Sequence, residues 1–160
     1  MATQTGPHLH FQGNCREAFD FYARTLGGKI VFAMTFGESP AREQSPPEVR
    51  NQIIHARLEI GSQYLLGCDA PGDRYQAPQG FNVMAAVEQP DEAERIFGTL
   101  AQNGSVCMPL QETFWAQRFG MCTDRFGIPW MVNCAKPPEV VAAAAVRGRM
   151  KVLPSRLAHA

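Results

Sequence analysis

A chain of 160 residues is one domain of ordinary size, or two small modules that share a core. At 45% hydrophobic and 19% charged it has enough apolar material to fold, which excludes a disordered chain. Fifteen basic residues balance fifteen acidic ones and no apolar run approaches the roughly 20 residues of a membrane span, so neither nucleic acid nor membrane is an expected partner.

The opening residues MATQTGPHLHF have neither a basic start nor an apolar signal core, so the expected compartment is the cytoplasm. HLHF (His8 to Phe11) reads as a short strand, with Leu9 and Phe11 on one face and His8 and His10 on the other. In GNCREAFDFYARTLGG, Asn14 and Glu17 have the spacing of a capping box. Ala18, Phe21, Tyr22 and Leu26 then form an apolar helical stripe, which Gly27-Gly28 ends. KIVFAMTF is a strand, and Glu38 to Arg50 is a polar, proline-rich surface loop. Ile53 to Ile60 alternates: Ile54, Ala56, Leu58 and Ile60 read as the helix-facing side, His55, Arg57 and Glu59 as the other. Gly61-Ser62 turns the chain into YLLGC, and a linker from Asp69 to Gly80 follows.

The order then repeats. FNVMAAV is a strand, with Phe81, Val83, Ala85 and Val87 on its helix-facing side; DEAERIFGTLAQNG is a helix; SVCMPLQ is a strand. FWAQRFGMCTDRFGIPWMVN supplies a last hairpin. Glu17-Ala18 with Phe21-Tyr22 matches Glu92-Ala93 with Ile96-Phe97, 75 residues on, and IGSQYLLGC superposes on FGIPWMVNC at an offset of 66. The expected fold class is α+β, two βαβββ modules at residues 7–68 and 80–135 in one domain of residues 1–135. Residues 136–160 form a C-terminal extension whose alanine run reads as a short helix.

Parity places His8, His10, His55, Arg57, Asn82, Met84, Met131 and Asn133 on the faces turned away from the helices. Such a face is solvated in most antiparallel sheets, yet the methionines suit a partly enclosed hollow. His55 is either a base near neutral pH or a histidine bonded to a neighbouring strand. His8 and His10 could join it around a soft divalent metal, or simply be exposed. Trp115 either stacks on a ligand at the mouth of the hollow or fills a gap in the core. Trp130 has core parity, and Asp124 reads as the residue that holds the turn before Gly127. The five cysteines form no CxxC and read as buried apolar residues.

LHFQGNCREAFDFYARTLGG, QIIHARLEIG, LLGCDAP, GFNV and FWAQRFGMCTDRFGIPWMVN together resemble the vicinal oxygen chelate superfamily, which includes glyoxalase I, bleomycin-resistance proteins and extradiol dioxygenases, and in particular its PhnB-like branch. The resemblance covers Pro7 to Ala135 and implies a half-barrel cup built from paired modules, in many members around a divalent metal. Carried over by register, the metal positions are Gly6, Leu65, Asn82 and Met131, which offer neither carboxylate nor imidazole. No cofactor is therefore expected, with a divalent metal left open. The resemblance implies a homodimer that binds a small molecule, with His10, Arg57, Asn82, Met84, Trp115, Met131 and Asn133 as ligand contacts. The alternative is an isomerase, lyase or dioxygenase in which His55 is catalytic. This branch is also labelled a demethylubiquinone methyltransferase, a name to which the sequence lends no support, since no strand leads through a glycine-rich turn into a helix.

Overall fold

Apolar residues that alternate along strands and recur every three to four along helices set the chain into two similar units. The computed structural model describes residues 3–150. Module one comprises β1 (His8–Phe11), α1 (Cys15–Leu26), β2 (Lys29–Thr35), β3 (Ile53–Ile60) and β4 (Gln63–Asp69). Module two comprises β5 (Val83–Val87), α2 (Pro90–Ala101), β6 (Ser105–Gln111), β7 (Ala116–Thr123) and β8 (Pro129–Ala135), and α3 (Pro138–Met150) follows. Each module forms its own four-stranded sheet, in the orders β1-β4-β3-β2 and β5-β8-β7-β6. The first strand of each lies parallel to the last, and the other pairings are antiparallel.

The helices bury their stripes between the sheets. Phe19, Phe21 and Tyr22 of α1 and Ile96, Phe97 and Leu100 of α2 join Leu9, Phe11, Leu58, Trp130 and Val132 in one apolar cluster. Tyr22 ties the modules together: its ring meets Trp130 edge-on at 5.2 Å and Phe126 at 6.0 Å. Gly67 admits α1 to the sheet at close range, because a Cβ there would stand 2.5 Å from Cε2 of buried Phe19. With the inner faces used up in this way, the outer face of each sheet looks away from the shared core.

Several expectations need correction. Asn14 makes no side-chain cap; a carboxylate from β4 takes that role, as described below. On β3 the side chain buried ahead of Ala56 is Ile53, and Ile54 is only half-buried. A register shift between Met34 and Thr35, opposite this end of β3, accompanies the change of face. Phe81 precedes β5 and is exposed. The superposition of the two last hairpins is one residue out. β4 buries Leu65, Gly67 and Asp69, whereas β8 buries Trp130, Val132 and Cys134. Cys68 therefore faces outward while Cys134 is in the core, and Leu65 faces the helices. The outward counterpart of Met131 is Leu66.

Candidate functional sites on the outer sheet faces

Two buried carboxylates fix the strands that carry these faces. In module one, Oδ1 of Asp69 accepts from the backbone N–H of Gly13 (2.9 Å) and of Cys15 (3.0 Å), and Oδ2 accepts from that of Ile53 (2.8 Å). One side chain thus closes the start of α1 and the start of β3 onto the end of β4. In module two, Oδ1 of Asp124 accepts from the N–H of Phe126 (2.8 Å) and Ile128 (3.0 Å). Its Oδ2 accepts from the Tyr22 hydroxyl (2.6 Å) and the Trp130 indole N–H (2.8 Å). Asp124 holds the turn, as the sequence suggests, and also clasps module one. Burial beside this carboxylate pushes the Tyr22 hydroxyl pKa well up.

On the module-one face, β1 presents His8 and His10, and His10 lies in register with Cys68 on β4. The His8 ring stands 5.2 Å from His10, edge-on, and 6.0 Å from His55, stacked. Phe32 leans on His55 at 5.7 Å. Partial desolvation by its neighbours lowers the His8 pKa although the side chain is exposed, and the neighbouring His10 and His55 lower it further by repelling a charged ring. Arg57, expected to meet a ligand, is engaged within its own sheet: it pairs with Glu59 at 3.0 Å and lies 4.4 Å over the Tyr64 ring.

The module-two face differs in chemistry. Met84 pairs with Met131, Met131 with Met121, and Met121 with Met108, so a row of four methionines crosses the whole sheet. The next row holds Ala86, Asn133, Phe119 and Gln111. Trp115 is partly exposed beside it, its ring 5.4 Å from Phe119 and 4.7 Å from Phe114. Oδ1 of Asn133 is buried with no hydrogen-bond partner.

The residues expected in one hollow therefore fall on two separate sheets. His10, His55 and Arg57 belong to module one, and Asn82, Met84, Trp115, Met131 and Asn133 to module two. Asn82 and Met84 line a cavity of about 880 Å³ with Leu26, Tyr64, Ile96 and Trp130. His8 and His10 line another of about 670 Å³ against linker residues Gln76 to Gln79 and Phe81. Sequence reasoning missed Cys68, grouped with the buried cysteines, and also Met108, Met121 and Phe119. Alternation along YLLGCD was the signal that Cys68 faces away from the helices. The cross-strand partners need a register that no single strand declares.

A family model described as 3-demethylubiquinone-9 3-methyltransferase matches residues 3–133. The chain belongs to this family. It is the PhnB-like branch of the vicinal oxygen chelate superfamily. Protein YjdN of Escherichia coli K12 is 38% identical over 138 residues, covering 81% of this chain and 94% of YjdN. The crystal structure of protein PA1353 from Pseudomonas aeruginosa is 45% identical, covers 85% of this chain and all of that one, and superposes with a TM-score of 0.76. The fosfomycin resistance protein FosX of Listeria monocytogenes, 8% identical, shares the fold alone, with a TM-score of 0.60 over 88% of this chain and 98% of FosX.

The superfamily's metal positions do not fit a hard divalent ion here. Leu65 is in the core, Leu66, which takes its place in the corrected register, offers only an aliphatic side chain, and Gly6 has no side chain and lies where a Cβ would meet the Tyr64 ring at 2.7 Å. Asn82 and Met131 add one amide and one thioether, too weak a donor set.

Proposed function

We propose that this protein holds a small, largely apolar organic molecule bearing an N–H or O–H donor against the outer face of its module-two sheet. Asn133 carries the reading. A buried amide oxygen without a partner costs about 1–3 kcal/mol, and a ligand donor would recover that loss. Around it, Met84, Met121 and Met131 supply an apolar surface that reshapes to its occupant, and Phe119 and Trp115 offer ring faces. The test is thermal-shift screening of a panel of planar phenols, amides and carboxylic acids. Asn133→Leu is expected to raise the melting temperature of the free protein and to abolish the shift given by panel hits. Hits that stabilise Asn133→Leu as much as the parent protein would overturn the reading.

Binding is preferred to catalysis by His55 because that ring lies on the other sheet, against His8 and Phe32. Methyl transfer from a nucleoside-bearing donor fits the chain poorly. Both sheets are mostly antiparallel, and among the described residues no strand passes through a glycine-rich turn into a helix where such a donor would sit.

The same reading includes a homodimer. Within one chain the modules do not share a sheet, and β1 and β5 each pair with a strand on one edge only. The paired-module cup that the superfamily implies would then form between chains, with β1 of one protomer beside β5 of its partner, bringing the histidine face next to the methionine face. Sedimentation at roughly tens of micromolar is expected to give the dimer mass, and a monomer throughout that range counts against it.

A further inference from the structure

We propose that the module-one face carries a binding site for a thiophilic transition-metal ion of the zinc class, with His8, His10 and Cys68 as ligands and His55 beside them. The site is distinct from the superfamily's metal positions and does not depend on the ligand reading for module two. Three observations place it. His8 and His10 are two residues apart on β1 and share its outer side, while the parallel register sets Cys68 of β4 next to His10. The candidate donor atoms, one from each of the three side chains, all lie within 4.8 Å of one another. Around a tetrahedral ion with bonds of about 2.0–2.3 Å, donors stand roughly 3.3–3.7 Å apart. Both histidines are exposed and Cys68 is half-buried, so side-chain rotation alone can close the difference.

The donor set selects the metal. Two imidazoles and a thiol with no carboxylate among them suit zinc, cobalt or copper and give magnesium or calcium nothing to bind. His55 stands beside these three ligands. Its ring is 6.0 Å from His8, and since Ala56 pairs with Gly67, the next step along both strands brings His55 opposite Cys68. The Phe32 ring packs against that imidazole, and an open cavity beside β1 lets an ion enter between His8, His10 and the linker.

The test uses full-length, untagged protein treated with chelator and titrated with Co²⁺, then with Zn²⁺ in competition. One equivalent of Co²⁺ is expected to bind with a sulfur-to-cobalt charge-transfer band that Zn²⁺ removes. Cys68→Ser should abolish the band. His10→Ala should weaken binding by at least about 100-fold, since even outer-shell partners are worth 10- to 100-fold. Cys107→Ser is the control, because Cys107 is the other cysteine that is not buried, and it should leave the titration unchanged. His8, His10 and Cys68 all point away from the core, so circular dichroism should show each variant folded. A band that survives Cys68→Ser or disappears in Cys107→Ser overturns the assignment, and so does failure of the folded parent protein to take up an equivalent.

Discussion

Asp124→Ala is expected to lower the free energy of unfolding by about 4 kcal/mol, a large part of the 5–15 kcal/mol that a domain of this kind possesses. The carboxylate is almost fully buried and accepts four hydrogen bonds, from Tyr22, Trp130, Phe126 and Ile128. Alanine would strand all four donors in the core, and each buried donor left alone costs about 1–3 kcal/mol before relaxation. Relaxation is limited on the module-one side, where Tyr22 is wedged among Phe11, Phe19, Phe21 and Phe126. Tyr22→Phe should cost far less, about 1–2 kcal/mol, because it removes one donor and leaves the carboxylate with three. Equilibrium urea unfolding with matched slopes measures both. A loss below about 1 kcal/mol for Asp124→Ala would mean that water or a neighbour replaces the carboxylate, and that the turn does not depend on it.

The periodic parts of the fold were legible in the sequence. β1, α1 and β6 fall on the residues that alternation and the helical stripe mark out, and the repeat of two modules follows from matching stripes. What failed was the transfer of register from one hairpin to the other. Ile60 pairs with Gln63 across a two-residue turn, whereas Thr123 pairs with Pro129 across five residues organised by Asp124. Matching Gly61 to Gly127 therefore shifts β4 against β8 by one residue, and a one-residue shift exchanges the faces. That step brings Leu65 out of the core, while Cys68 is assigned to the core with the other cysteines. The candidate sites were legible only as parity. That His8, His10, His55, Met84 and Met131 face outward could be read, but not that a shared core divides them between two sheets. The cause is a contact about a hundred residues long, Tyr22 to Asp124, and no local pattern announces it. Asn14 misled for a related reason: the local cap is outcompeted by a carboxylate 54 residues from the amide it binds.

That carboxylate gives the second large effect. Asp69→Ala is expected to cost about 3 kcal/mol and to loosen module one selectively. Its two oxygens join three segments: the Gly13–Cys15 entry to α1, the first residue of β3 and the end of β4. Its negative charge also sits at the N-terminus of α1, where the helix dipole favours it by about 0.3–1 kcal/mol. Asp69→Asn keeps the shape but turns an amide N–H₂ toward a backbone N–H on one side, so it should recover only part of the loss. Hydrogen exchange separates this clasp from a general weakening. The amides of Gly13, Cys15 and Ile53 should exchange much faster in Asp69→Ala, while those of Phe126 and Ile128, held by Asp124, keep their protection relative to global stability. Because Asp69 follows Cys68 on β4 and pairs with Phe11 next to His10, the same variant should also weaken cobalt binding without removing any donor. Unchanged exchange at Gly13, Cys15 and Ile53 would show that strand pairing alone sets the geometry of that face.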